Sequence, residues 1–235
     1  MSRLPSEFAR LYRSAPAAPL VDAPGRVRAL VLEVVQPASW DVLSVAWQGV
    51  QAELELPAPA IAMSGIDGVQ LWFSLEVPIA APQAHAFLES LRARFLADVP
   101  PSRVRLWPDL ATPPRHAASV PTLRSTGNWS AFVSPDLAAV FSDTPWLDIE
   151  PGDEGQAALL RGLQPIKPAA LAAAVARLDA DARDAGAPAR EAASSPRAPA
   201  PEDEPRRFLL RVMNDERVDL ALRIEAAKAL LGAGR

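Results

Sequence analysis

With 235 residues, 49% of them hydrophobic, the chain is long enough for one packed domain with a smaller element beside it. It has no cysteine and only two histidines, His85 and His116, which excludes disulfides, thiolate metal sites and cysteine nucleophiles and argues against a zinc site or a Ser-His-Asp triad. A net charge of −4 leaves no global basic footprint, so any nucleic-acid contact has to be local. No apolar run approaches the ~20 residues of a membrane span. The N-terminal stretch, with Glu7 early, lacks a signal peptide's apolar segment, so a cytoplasmic protein is expected.

Residues 5–14 suit a short helix, with Pro5 in its first turn and Phe8, Leu11 and Tyr12 on one face. Arg10 and Arg13 read as its solvated side, with nucleic-acid contact as the alternative. Residues 27–35 form a strand. Leu30, Leu32 and Val34 line one face, and Val31, Glu33 and Val35 the other. A strand apolar on both faces is central and covered, which makes Glu33 a lone acid in need of a partner. Residues 39–56 read as a helix capped by Ser39, with Asp41 at the positive end of the dipole and Leu43, Trp47, Val50 and Leu54 as its apolar stripe.

The stretch 59–77 reads as strand, tight turn, strand. Ser64-Gly65-Ile66-Asp67-Gly68 is dense in turn residues, with a glycine at each end able to take positive φ. Strict alternation follows. Val69, Leu71, Phe73, Leu75 and Val77 point one way, and Gln70, Trp72, Ser74 and Glu76 the other, as a ligand-binding face would.

Ser64, Gly65 and Gly68, followed by an apolar strand, resemble the second motif of archaeo-eukaryotic-type primase-polymerases, a superfamily that includes the polymerase domain of bacterial end-joining ligases. The resemblance covers roughly residues 27–165 and extends to the order of strand, helix and hairpin. It implies that Ser64 and the turn face nucleotide phosphates; Gln70 stands where the family has histidine. It further implies paired acids at the end of the first strand, holding two metal ions for phosphoryl transfer. Here Glu33 sits in place, flanked by Val31 and Val35, and the family's later acid has Asp109 as its nearest candidate. A two-metal site cannot be assembled from this strand, because the chemistry needs at least two or three carboxylates around the ions.

Residues 80–99 read as an amphipathic helix and 103–108 as a strand. Arg103, Arg105, Arg115, His116 and Arg124 are the best local basic cluster, readable as a phosphate-contacting patch or as scattered surface charges. A turn at Gly127-Asn128 precedes a strand from Trp129. Short helices follow at 135–141 and 152–163, with Trp129, Phe141 and Trp146 expected to close the core. An Ala-rich helix over 167–183 is expected to project. Residues 184–205 read as a disordered Pro/Ala-rich linker.

Beyond it, 206–231 reads as two short helices. Phe208-Leu209, Val212-Met213-Asn214-Asp215 and Leu222-Arg223, Ala226-Ala227-Lys228-Ala229 resemble a segment of phage small terminase subunits, which implies an oligomerisation or interaction element over 206–235. A helical pair this small needs a partner or self-association.

The expected architecture is an α+β domain over 1–183, a mainly antiparallel sheet with covering helices, followed by linker and helical hairpin. The first functional expectation is a non-catalytic, primase-polymerase-like protein of a phage or mobile element, acting in replication or DNA packaging without a cofactor. Its expected partners are single-stranded nucleic acid, met through Ser64, Gly65, Gly68, Gln70, Trp72, Arg103, Arg105 and Arg124, and a phage or replication protein or a second copy, met through 206–235. One alternative is an active nucleotidyltransferase using Mg or Mn with Glu33 and Asp109. The other is a small-terminase-like assembly protein without nucleotide function. The number of acids converging on Glu33 separates them.

Overall fold

The computed structural model describes residues 3–194, and Met1–Ala185 form the first compact unit of the chain. A five-stranded antiparallel sheet organises it, in the order β4-β1-β3-β2-β5. These strands are β1 (Arg26–Val35), β2 (Ala60–Met63), β3 (Gly68–Ala80), β4 (Val104–Trp107) and β5 (Ala131–Val133). The expected α+β class with a mainly antiparallel sheet is what the chain adopts.

Helices cover both faces, because both faces of β1 and of the first half of β3 are apolar. On one side α2 (Trp40–Ala52), α3 (Ala81–Phe95) and α6 (Pro168–Ser194) enclose Leu30, Leu32 and Val34 of β1 and Val69, Leu71, Phe73 and Leu75 of β3. On the other, α1 (Leu4–Tyr12) and, after the short α4 (Pro135–Ala138), α5 (Asp153–Arg161) bury Val31, Trp72 and Phe132 under Phe8, Leu11, Tyr12 and Leu160. Phe8 meets the Trp72 ring edge-on at 6.0 Å between centroids, and Tyr12 does so at 5.3 Å.

Local chemistry sets the element ends. The Ser39 hydroxyl accepts the Val42 N–H at 3.4 Å and starts α2. That helix stops at Ala52, short of the expected 56, where the chain turns through Glu55 at φ 55°. Gly49 lets α2 and α3 approach, since a Cβ there would overlap the Phe95 ring. The outer edge of β5 is closed by one side chain: the Gln156 amide accepts the Phe132 N–H at 2.7 Å and donates to the Phe132 carbonyl at 2.9 Å. Those two backbone groups would otherwise offer a pairing edge to another chain.

Several expectations change. Val77 lies past the covered part of β3 and is 52% exposed, so the alternating apolar face ends at Leu75. The helix expected to project instead packs Leu171, Ala174 and Leu178 into the first core, because every third or fourth position carries an apolar side chain. Its backbone stays helical to Ser194, across half of the stretch read as linker; alanine, arginine and glutamate carry it past Gly186 and Pro188. The remainder of that stretch and the whole of 206–235 lie outside the described residues. Trp129, Phe141 and Trp146 are only half-buried, and Phe132 is the aromatic that this region sends to the core. Among the described residues no helix is long and apolar enough to cross a membrane.

Candidate functional site

The turn of the β2–β3 hairpin is internally saturated. The Ser64 hydroxyl oxygen accepts the N–H groups of Ile66, Asp67 and Gly68 at 3.1, 3.1 and 2.9 Å. Ser64 N–H donates to the Gly68 carbonyl at 2.9 Å, and Gly65 N–H to the Pro145 carbonyl at 3.0 Å. A ring of amides of this kind is an anion nest when its centre is empty. Here the serine oxygen occupies that centre, so the four amides from Gly65 to Gly68 are not on offer to a phosphate, contrary to the sequence-based expectation.

The two motif glycines are needed for different reasons. Gly65 sits at φ 78°, and a Cβ would come within 2.7 Å of the Ser130 nitrogen. Gly68 is not in the left-handed region. It is required by proximity: a Cβ there would lie 2.5 Å from Oε1 of Glu33. The strand acid and the hairpin glycine are thus one packing unit.

Glu33 is 4% exposed, at the point where β1 pairs with Gln70 of β3 on one side and Arg105 of β4 on the other. Trp107 Nε1–H donates to its Oε2 at 3.4 Å, and Arg105 Nη1 stands 3.8 Å from Oε1. Burial pushes the carboxyl above the ordinary glutamate range. Arg105, Trp107 and Gln70 pull it back only partly, and Asp67 adds to the upward push. Arg105 belongs chiefly to Asp67, in a bidentate pair at 2.8 and 2.9 Å whose hydrogen bonds hold the guanidinium in its charged form. Asp67 is the acid that sequence reading missed. It was visible as the fourth residue of the Ser-Gly-x-x-Gly turn, but nothing local showed that β4 would bring Arg105 across to it.

Trp72 does not form a stacking surface. It is 1% exposed, enclosed by Phe8, Tyr12, Phe132 and His116, and its Nε1–H donates to Gln70 Oε1 at 2.8 Å. That bond uses Gln70's carbonyl, and Gln70 is itself 3% exposed. The face of β3 that alternation marked for a ligand is the floor of the second core, because α1 lies over it.

The basic cluster disperses. Arg103 donates to the carbonyls of Val35 and Pro37. Arg115 pairs with Asp109 at 2.7 Å. Arg124 Nε–H donates to the Ser64 carbonyl at 2.7 Å, its charged form disfavoured by burial and favoured by Glu33. His116 is half-buried, and desolvation lowers its pKa, with the carbonyls of Ala29 and Ala117 opposing. Its ring nitrogens face two carbonyls, Nε2 that of Ala29 at 3.0 Å and Nδ1 that of Ala117 at 3.3 Å, so neither is directed at a ligand.

Ser64, Gly65, Gly68, Gln70, Glu33, Arg105 and Arg124 therefore converge, while Arg103 and Asp109 do not join them. Asp109 accepts the backbone N–H groups of Ala111 and Arg115 and the Arg115 guanidinium, closing its own loop. A slight burial penalty raises its pKa, and those bonds outweigh it, leaving the carboxyl below its usual range. The magnesium or manganese that an active polymerase would need does not fit this donor set. Glu33 has Asp67 as a neighbouring acid, but Asp67 is ion-paired with Arg105, and among the described residues no group of three or more His, Asp or Glu side chains could hold a metal ion. No protein-family model matches the chain, and a search of curated proteins finds no match.

Proposed function

We propose that this is a non-catalytic, primase-polymerase-like protein, cytoplasmic and of a phage or mobile element, which works by binding and assembly in replication or DNA packaging. The observation that carries the reading is the pairing of Glu33 with Gln70 beside Gly68. A strand acid and a Ser-Gly-x-x-Gly turn more than 30 residues apart in sequence meet at one end of an antiparallel sheet, which supports the reading. The centre they form lacks what catalysis needs. One carboxylate is buried, a second, Asp67, is ion-paired, and the turn amides are taken by the Ser64 hydroxyl and the Pro145 carbonyl. In this reading 206–235 supplies attachment to a phage or replication protein, or to a second copy.

The test is nucleotide incorporation on a primed template with magnesium or manganese, alongside association of the chain with labelled single-stranded DNA at low salt. Expected are DNA association and no incorporation. Templated incorporation abolished by Glu33→Ala would establish the enzyme instead. Absence of any DNA association would leave the assembly role alone, which light scattering of a chain ending at residue 205 would then address.

A further inference from the structure

Away from the hairpin turn, Arg10, Arg13 and Arg28 line one open hollow of about 410 Å³, between the end of α1, the loop that follows it and β1. Ser6 and Ser14 also reach it, and no aspartate or glutamate lines it. The three arginines are not equally committed. Arg10 is spent on Glu7 and on the carbonyls of Leu160 and Leu163 at the end of α5. Arg28 donates to the carbonyls of Leu75, Arg13 and Arg10, which leaves two of its five N–H groups. The Arg13 side chain makes one hydrogen bond, from Nη1 to the Pro16 carbonyl at 3.2 Å. Its Nε is buried, with no hydrogen-bond partner among the described residues, so the donors Arg13 can offer to the hollow are the remaining N–H groups on Nη1 and Nη2. The guanidinium is held in place by the Phe8 ring, 5.3 Å from its centroid. Glu7 offsets Arg10 and Glu76 acts on Arg28, so Arg13 is the lining arginine for which no acid partner is seen among the described residues, in a hollow whose own lining holds no carboxylate.

We propose that this hollow binds phosphate groups and takes a phosphodiester of single-stranded nucleic acid. Two guanidiniums lining one hollow, each with N–H groups to spare, can donate together to the several oxygens of a phosphate. The hollow is open: Ser6, Ser14 and Pro16 on its rim are exposed, so a group carried on a polymer can enter while its sugar stays outside. Phe8 is 5% exposed and cannot stack a base, so the contact is to backbone and indifferent to sequence. The phosphate chemistry stands on this geometry alone; the choice of nucleic acid as its source rests on the function proposed above.

The experiment uses the full chain and two probes. A labelled oligothymidylate is titrated by fluorescence anisotropy at low salt. Inorganic phosphate is titrated while the Arg13 Nε–H resonance, assigned by its loss in Arg13→Gln, is followed by NMR. Expected are oligonucleotide binding weakened roughly tenfold by Arg13→Gln, a salt slope smaller by about 0.7, and an intermediate effect of Arg13→Lys, which keeps the charge but not the fork. Arg13→Lys replaces Arg13→Gln in the comparison if the glutamine variant does not melt like wild type. A resonance that moves with phosphate, while oligonucleotide binding is absent or unaffected by the variants, keeps the phosphate site and overturns its assignment to nucleic acid. Oligonucleotide binding indifferent to both variants, with a resonance that phosphate leaves unmoved, overturns the site and leaves nucleic-acid association elsewhere on the chain. Neither binding nor a shift overturns both.

Discussion

Glu33 and Asp109 are the two acids that a resemblance to polymerases would recruit as metal ligands, and they end in opposite surroundings. Glu33 is walled in by β3 and β4, and burial drives its carboxyl upward. Asp109 caps a solvent-side loop, and its bonds to Arg115 and Ala111 draw its carboxyl downward. A two-metal centre needs its carboxylates in one place and in one ionised state. These two stand apart and their pKa values are pushed in opposite directions, so Glu33 acts as part of the packing and Asp109 as part of its own loop.

The largest expected effect tests the burial on the Glu33 side. Trp72 lies in the same layer of the sheet as Glu33, and Trp72→Ala should cost about 3–5 kcal/mol of unfolding free energy, read from urea melts. A loss below 1 kcal/mol, on the order of a surface substitution, would mean that this face is open after all. Gly68→Ala should cost about 1–3 kcal/mol through its clash with Oε1 of Glu33. In a Glu33→Ala background that cost should largely vanish, giving a coupling of about 1 kcal/mol or more in a double-mutant cycle. Additivity would show that acid and glycine are not packed together.

The next prediction concerns sign. The folded carboxyl of Glu33 titrates above its unfolded value, so the native state holds the proton more tightly. The stability this confers is complete below the unfolded value and is lost as pH rises through the folded one. Glu33→Gln should therefore stabilise the protein at pH 8 and lose that advantage toward pH 4, measured as the difference in melting temperature along the pH series. Asp109 runs the other way. Its depressed carboxyl contributes stability above the unfolded value that is lost as pH falls through the folded one. Asp109→Asn should cost less than about 1 kcal/mol at neutral pH, since the pair with Arg115 lies near the surface. That cost should fade in acid, and the same pH series measured on both variants would show opposite slopes.

Much of the architecture could be read from residue periodicity. The alternation from Val69, the two apolar faces of 27–35 and the helix capped by Ser39 each follow from a few neighbouring side chains, and each formed, although the apolar alternation ends at Leu75 rather than Val77 and the helix at Ala52 rather than 56. Backbone geometry at Gly65 was also legible, because positive φ is a local demand. Gly68 gives no such local reason. Its lack of a side chain answers to Glu33, which lies on another strand.

What the sequence by itself determined is therefore the inventory and period of the elements, and which residues could carry charge toward a site. The tertiary structure alone decided which of them are available. It laid α1 over Trp72, brought Arg105 to Asp67 and filled the turn with Ser64's own oxygen, while leaving the Nε of Arg13 unmatched. The reason is physical. Periodicity is set within a few residues along the chain, whereas burial and hydrogen-bond saturation depend on which distant segment arrives to compete for the same donor or face.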